Sequence, residues 1–91
     1  MNETQVIRIR YWAAARAAAG VAEEQVPVDG PVRLGDLVRT VLARHEDSRL
    51  GDVIASCSVL LGEQPVSTRD PDEVVVPPGS SVEFLPPFAG G

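Results

Sequence analysis

The residues best suited to chemistry are the last seven, Leu85–Gly91, where an apolar strand pattern gives way to two prolines and then to a terminal glycine pair. Proline lacks a backbone N–H and fixes φ, so the preceding strand cannot continue pairing through Pro86 and Pro87. Gly90 and Gly91 have no Cβ, which lets an extended tail enter a channel too narrow for side chains. The group left to react is the α-carboxylate of Gly91. It is a poor electrophile until a partner enzyme activates it, for example as an acyl-phosphate anhydride.

The same ending also fits an ordinary frayed terminus, because chain ends are often poorly ordered and rich in small residues. Phe88 favours a docking tail instead. A solvated tail does not need an aromatic side chain, whereas a tail that binds a partner can use one as an anchor. We therefore predict a folded domain over residues 1–85 and an extended tail over residues 86–91 that serves as a substrate for a partner enzyme.

Two further side chains could take part in catalysis but have no partner group nearby in the sequence. Cys57 is the only cysteine and lies in a strand-like alternation, where cysteine behaves as a small apolar residue. His45 is the only histidine and lies near the negative end of a predicted helix. We predict structural roles for both. With one cysteine and one histidine, the chain also lacks the ligand set of a structural zinc site.

Composition indicates a small single domain. At 91 residues the chain buries only somewhat more than about 60% of its unfolded surface, which leaves little room for a deep active-site cleft. The net charge of −5 argues against binding to a nucleic-acid backbone and favours protein partners with basic surfaces. No apolar run approaches the roughly 20 residues that cross a bilayer, and residues 1–4 do not resemble the basic start of a secretory signal. We expect a cytoplasmic protein.

The first half of the chain predicts two strands and two helices. Residues 5–12 and 24–28 alternate in the pattern of half-buried strands. The alanine-rich run 13–19, followed by Gly20, predicts a short helix with a glycine C-cap. A longer helix follows, because apolar residues recur at the spacing i, i+3, i+4, i+7 and i+8: Leu34, Leu37, Val38, Val41 and Leu42.

The second half predicts, in order, a polar connection with a helical turn, a third strand, a short edge strand and a loop: residues 46–55, 57–61, 63–66 and 68–73. A turn at Pro77–Gly79 then precedes the last strand. In that strand Val82 and Phe84 face the core, and its end delivers the tail.

This order of elements predicts an α+β domain in which one main helix covers one face of a mixed sheet. If the first and last strands lie side by side at the centre, they can run parallel, because a helical crossover separates them in the sequence. The predicted fold is a β-grasp, the ubiquitin-like fold. The side chains expected to be buried together are Ile7, Ile9, Leu37, Val38, Val41, Val59 and Phe84.

Three segments carry a resemblance to a known family: Arg10–Gly20 near the start, Leu34–Leu37 at the opening of the long helix, and Phe84–Gly91 at the end. Together they resemble the small, sulfur-carrying subunit of molybdopterin synthase, within the ubiquitin-like sulfur-carrier superfamily. The resemblance covers nearly the whole chain in order. Its most specific part is the proline pair at the right spacing before the terminal Gly-Gly. Arg33 departs from the pattern, since a helix-capping threonine or serine often stands there.

The resemblance implies a sulfur carrier in molybdenum cofactor biosynthesis rather than an autonomous enzyme. An ATP-using, ubiquitin-activating-like partner would adenylate the Gly91 carboxylate, and a sulfur donor protein would displace AMP. The resulting thiocarboxylate would give its sulfur to a pterin precursor on the large catalytic subunit. The carrier itself would bind no cofactor or metal, and neither nucleic acid nor membrane would take part. The tail residues that would contact the partners are Pro86, Pro87, Phe88, Ala89 and Gly90.

Two alternatives remain open at this level. Carriers of the same fold with the same Gly-Gly end serve thiamine or cysteine synthesis or modify proteins. A plain interaction domain with a disordered end would not need a reactive carboxylate. The hairpin Leu61–Glu63 lacks an asparagine that is frequent in the resembled family, and Ala17 replaces a frequent glutamate, so the subgroup is not fixed by the sequence.

Overall fold

The computed structural model describes residues 5–87. A 3-10 helix over Pro71–Glu73 lies within the chain in addition to the strands and α-helices. In chain order the strands and α-helices are β1 (Gln5–Tyr11), α1 (Ala13–Ala19), β2 (Glu23–Val28), β3 (Val32–Arg33), α2 (Leu34–Arg44), α3 (Leu50–Ile54), β4 (Ser58–Leu61), β5 (Gln64–Pro65), β6 (Val75–Val76) and β7 (Ser81–Leu85).

The main sheet has the strand order β2-β1-β7-β4-β5. Its first and last strands, β1 and β7, are neighbours and run parallel, with Tyr11 opposite Phe84. The other strand pairs of this sheet are antiparallel, so the sheet is mixed. With α2 packed on one face, this is the β-grasp that the order of elements predicted.

The core lies between α2 and the sheet. Most of the predicted core residues are fully buried, with at most 2% of their surface exposed: Ile7, Ile9, Leu37, Val41 and Phe84. The prediction is wrong in part for Val38 and Val59, which are only half-buried. They pack against the core but also border an open groove on the α2 side of the sheet, which leaves one side of each without a neighbour.

The short helix α1 ends where the sequence predicted. Gly20 adopts a left-handed φ of 78°, and its N–H donates to the Arg16 carbonyl at 2.9 Å. The predicted first strand is one residue too long at its end. Trp12 does not belong to β1 but is the residue before α1, where its carbonyl accepts from the N–H of Ala15 at 2.9 Å.

The long helix α2 begins without a side-chain cap, as expected for Arg33. The backbone provides a substitute, because the Leu34 N–H donates to the Val74 carbonyl at 2.8 Å. This bond lies beside a second, two-stranded sheet formed by β3 and β6. The sequence did not predict that sheet, since strands of two residues are too short to show an alternation.

Two predictions for the second half need correction. Cys57 was placed within a strand, but β4 begins only at Ser58, and the Cys57 N–H instead donates to the Ile54 carbonyl at 3.0 Å after α3. The loop predicted over residues 68–73 contains the 3-10 helix. It forms because the Asp70 side chain accepts from the Asp72 N–H at 2.9 Å, which caps its first turn.

The outer edge of β2 is blocked against further strand pairing. The Val6 carbonyl points away from β2 and accepts from the Gly79 N–H at 2.8 Å. In an antiparallel pair, two opposite residues either bond to each other or both point away, so Pro27, which is opposite Val6, directs its backbone nitrogen and carbonyl to the outer edge. Proline offers no N–H to an incoming strand. The Gln25 carbonyl, which faces the same edge, accepts from Arg44 Nη1 at 2.9 Å.

The opposite edge, β5, is protected in the same way. The Val66 N–H donates inward to the Val59 carbonyl at 2.9 Å, so the preceding residue, Pro65, faces outward. The strand is also only two residues long. Short edge strands that contain proline are a common means of preventing edge-to-edge association.

Candidate functional site

The tail that was predicted to carry the chemistry leaves the domain at the end of β7. This strand ends at Leu85, Pro86 is half-buried and Pro87 is exposed, in agreement with the prediction that the proline pair stops the strand. The other predicted site residues lie outside the described residues: Phe88, Ala89, Gly90 and Gly91. The structure thus describes the base of the tail and the surfaces beside it.

The base of the tail is held at the centre of the sheet. β7 pairs with β1 on one side and with β4 on the other. Phe84 is fully buried and stacks on Tyr11, with ring centroids 6.0 Å apart and an angle of 15° between the planes. The Phe84 carbonyl also accepts from the Trp12 N–H at 3.2 Å. Core packing therefore fixes the point from which the tail leaves.

An exposed aromatic side chain lies beside this point, on the face of the sheet opposite α2. Trp12 is 42% exposed, and its Nε1 donates to Glu83 Oε1 at 2.9 Å. The Arg10 guanidinium lies 4.9 Å from the centroid of the indole ring, a cation–π contact. Leu85 lies on the same face, because it follows the buried Phe84 and side chains alternate along a strand. Leu60 lies there too, because it is paired with Glu83. We call Trp12, Leu60 and Leu85 the outer patch.

The outer patch was not among the predicted site residues. Charged side chains surround it in a chain of exposed ion pairs: Arg8–Glu23 at 3.4 Å, Arg10–Glu23 at 3.7 Å and Arg10–Glu83 at 3.8 Å. Such pairs contribute little to stability, but two of their members also contact Trp12, Glu83 through a hydrogen bond and Arg10 through the cation–π contact. The sequence did contain a signal: Leu60 and Leu85 are apolar but alternate with the core-facing residues of their strands, which places apolar side chains on the outer face.

A cluster of polar side chains joins the C-terminal end of α2 to the sheet. The Glu24 side chain is only 15% exposed and accepts from the Tyr11 hydroxyl at 2.7 Å and from Arg44 Nη1 at 2.9 Å. His45 Nε2 lies 2.6 Å from Glu24 Oε2. His45 therefore has an acidic partner after all. The sequence around His45 did not predict this contact, because its partner lies 21 residues earlier in the chain, in β2.

The hydrogen bonds of this cluster connect β1, β2 and the C-terminal end of α2. Burial alone would raise the pKa of Glu24, but the hydrogen bonds from Tyr11, His45 and Arg44 hold that pKa below its ordinary value. Burial and the bond to Glu24 raise the pKa of the Tyr11 hydroxyl well above its ordinary value. A carboxylate with a lowered pKa is a weak base, and a phenol with a raised pKa is a weak acid, so neither suits proton transfer near neutral pH.

Cys57 is half-buried and packs against the core, which is compatible with the structural role predicted for it. Its thiol donates to the Val53 carbonyl at 3.3 Å, and burial raises its pKa, which disfavours the nucleophilic thiolate. Within residues 5–87, no group of three or more histidine, cysteine, aspartate or glutamate side chains is arranged to hold a metal ion. No helix in the same range is long and apolar enough to cross a membrane.

Known proteins resemble this chain both in sequence and in fold. The molybdopterin synthase sulfur carrier subunit of Aspergillus niger is 29% identical over 91 residues, which cover 100% of both chains. Among solved structures, the HVO 2177 protein of Haloferax volcanii superposes with a TM-score of 0.76 at 23% identity, over 100% of this chain and 92% of that one. Structural likeness at this identity establishes the fold.

A further solved structure is the protein–protein complex of subunits 1 and 2 of the molybdopterin-converting factor from Helicobacter pylori. The matching chain has a TM-score of 0.65 at 19% identity, over 94% of this chain and 99% of that one. A model of the ThiS family matches residues 9–91, from the middle of β1 through the terminal Gly-Gly. The chain therefore belongs to the ThiS family, and it resembles the sulfur carrier subunits of molybdopterin synthase.

Proposed function

We propose that this chain is the sulfur-carrier subunit of a molybdopterin synthase, and that the α-carboxylate of Gly91 is its reactive group. The observation that carries the proposal is the position of β7. A strand fixed at the centre of the sheet leads into a proline pair and a terminal Gly-Gly, which is the arrangement needed to present a chain end to another protein. Membership of the ThiS family supports the same reading.

The proposed cycle needs an activation step because a carboxylate is a poor electrophile and therefore a poor acyl donor. The Gly91 carboxylate attacks the α-phosphorus of ATP on an adenylating partner, which releases pyrophosphate and leaves an acyl-adenylate. A sulfur nucleophile, hydrosulfide in the simplest case, then attacks the acyl carbon and displaces AMP. The sulfur of the thiocarboxylate then attacks a pterin precursor on the large catalytic subunit and displaces an oxygen leaving group, which gives a thioester between carrier and pterin. Water hydrolyses the acyl–sulfur bond of this thioester, so the sulfur stays on the pterin and the Gly91 carboxylate is regenerated.

In this cycle the domain presents the tail and the partners supply the catalysis. Pro86 and Pro87 keep the start of the tail out of the sheet, and Gly90 offers no side chain to a narrow channel. Phe88 anchors the tail on the partner, and the side chain of Ala89 is small enough to enter the channel behind Gly90. The outer patch lies beside the base of the tail, and we propose that it contacts the large subunit. The complex of two converting-factor subunits from Helicobacter pylori supports a partner of that kind.

The test is to delete Gly91 or to append one alanine after it. Both variants should lose thiocarboxylate formation with ATP, an activating enzyme of this family and sodium sulfide, as measured by the intact-mass change of an oxygen-to-sulfur exchange. Their thermal unfolding should match that of the native chain, since terminal residues of a domain commonly contribute little to its stability.

A matched control is Gly30→Ala, a glycine substitution at which an added Cβ meets no heavy atom within 4 Å. This variant should form the thiocarboxylate to the same extent as the native chain. Supplying the thiocarboxylated chain to a large synthase subunit with the pterin precursor then tests the pathway. Thiocarboxylate formation without pterin product would favour a carrier for another pathway, and equal activity of the extended and native chains would overturn the carrier proposal itself.

A further inference from the structure

A second surface lies on the other side of the sheet from the outer patch. Between α2, the end of α3 and the segment after β5 there is a groove of about 500 Å³, which we call the helix-side groove. This volume is within the range of about 300–1,000 Å³ that is typical of binding pockets. Its floor is apolar and is formed by Val38, Ile54, Val59, Val66 and Phe84.

The mouth of the groove carries three consecutive hydrogen-bond donors, Ser67, Thr68 and Arg69. Arg69 donates through Nε to the Val66 carbonyl at 3.3 Å, which holds the guanidinium at the rim. Within residues 5–87, the Arg69 guanidinium has no acidic partner, and neither hydroxyl makes a side-chain hydrogen bond. The other arginine of the rim, Arg39, is neutralised by Asp36 at 2.6 Å and Asp72 at 3.3 Å.

Contacts within the domain join the segments that form the walls of the groove. Arg39 ties the 3-10 helix to the first turn of α2 through Asp72. Gly35 permits this approach, because a Cβ there would collide with the Asp72 carboxylate. At the other end of the segment Val66 is only 3% exposed, which anchors it in the core. A preformed site of this kind binds with a smaller loss of conformational entropy.

We propose that the helix-side groove binds an acidic segment of a partner protein that carries a bulky apolar side chain. The apolar floor would take the side chain, and the donors of Ser67, Thr68 and Arg69 would take an adjacent carboxylate. A basic segment is disfavoured, because it would face the unpaired charge of Arg69. The chain is acidic overall, with a net charge of −5, and Asp72 also lines the groove, so the carboxylate of the segment has its defined place beside Arg69.

The groove and the outer patch flank the same tail. Leu85 pairs with Ser58, and the residue before Ser58, Cys57, lines the groove. A segment in the groove would lie on one side of the base of the tail while a second protein covers the outer patch on the other side. Binding in the helix-side groove does not involve the Gly91 carboxylate, so it does not depend on the sulfur chemistry proposed above.

The experiment is a titration of the ¹⁵N-labelled full chain with the peptide acetyl-Glu-Asp-Leu-Phe-Glu-Asp-amide. Amide shifts should change at Val38, Cys57 and residues 66–69, and should stay constant on the outer face at Arg8 and Arg10. Arg69→Ala should weaken binding by about tenfold, the effect of one charge-assisted hydrogen bond. Ser67→Gly should weaken it by about threefold, and because Ser67 has a φ of 61°, glycine accepts its conformation without strain.

The controls separate this surface from others. Arg16→Ala, an exposed arginine on α1, should leave the affinity unchanged, and so should deletion of Gly91. A peptide with lysine in place of each acidic residue should bind at least about tenfold more weakly. Equal binding of the two peptides, shifts confined to the outer patch, or no shift at millimolar peptide would each overturn the proposal.

Discussion

At the scale of single residues, the Glu24 carboxylate shows how a charge can be kept inside a small domain. Burial removes most of its contacts with water, but it accepts hydrogen bonds from two other elements, from Tyr11 of β1 and from the end of α2. A half-satisfied cluster would destabilise the fold, whereas a satisfied one fixes the helix relative to the sheet. Tyr11 also stacks on Phe84, so the same cluster supports the base of the tail.

We expect Glu24→Gln to lower the free energy of unfolding at pH 7 by about 1–3 kcal/mol, the typical contribution of hydrogen bonds to a charged group. The pKa of Glu24 in the folded chain is lower than in the unfolded chain. Its stabilisation is therefore complete above the unfolded value and is lost as the pH falls through the folded one. Urea unfolding of both chains at pH 7 and at pH 3 should show the difference between them shrink in acid.

The matched control is Glu23→Gln, the neighbouring glutamate, whose side chain is 43% exposed and pairs only with exposed arginines. Its effect should stay within about 0.5 kcal/mol at both pH values. A Glu24→Gln effect equal to that of the control would show that the cluster does not fasten α2 to the sheet.

At the scale of secondary-structure elements, the two edge strands explain how a five-stranded open sheet avoids pairing with other chains. Pro27 and Pro65 face outward on β2 and β5, and Arg44 covers part of the β2 edge. Neither proline disturbs the sheet, since each stands where no inward N–H is needed.

We predict that the double variant Pro27→Val and Arg44→Ala will associate more strongly than the native chain. It restores an outward N–H at position 27 and frees the Gln25 carbonyl, so that another strand can pair with the edge. Sedimentation equilibrium should show an average mass that rises more steeply with concentration. Pro31→Val, in the connection after β2, is the control and should behave as the native chain does. Identical masses for all three chains would mean that these residues do not protect the edge.

At the scale of the whole molecule, the sheet separates two surfaces that share one chain end. The outer patch lies on one face, and α2 with the helix-side groove lies on the other. Since β7 occupies the centre of the sheet, both surfaces lie beside the base of the tail at Leu85. The proposed function does not require a catalytic cleft within this domain, because it places the reactive chain end between surfaces that partners can hold.

Trp12→Ala should therefore reduce recognition without unfolding the domain. Truncating a central tryptophan of an interface commonly costs at least about 2 kcal/mol, so kcat/KM for sulfur transfer with the large subunit should fall by about thirtyfold, mainly through KM. The free energy of unfolding should change by no more than about 1 kcal/mol, because Trp12 is exposed. Val21→Ala, which truncates another exposed apolar side chain, is the control and should leave KM unchanged. An unchanged KM for Trp12→Ala would place the interface elsewhere.

The sequence by itself determined the longer strands and helices, but not the short sheet of β3 and β6. Period-2 alternation placed Ile7, Ile9, Val82 and Phe84 on the core face of the first and last strands, and the 3.6-residue stripe placed Leu37 and Val41 on the buried face of α2. Gly20 and the proline pair marked the ends of α1 and β7. These features follow from local backbone chemistry, which neighbouring residues in the chain suffice to set.

The tertiary structure alone decided which distant groups meet. Glu24 reaches His45, Trp12 reaches Glu83, and Arg39 reaches Asp72 across sequence separations that no local pattern encodes. Val38 and Val59 were expected in the core because their periodicity is correct, yet they border a groove, since burial depends on what the opposing surface supplies. Spacing specifies the face on which a side chain lies, but only the packing of elements specifies what that face meets.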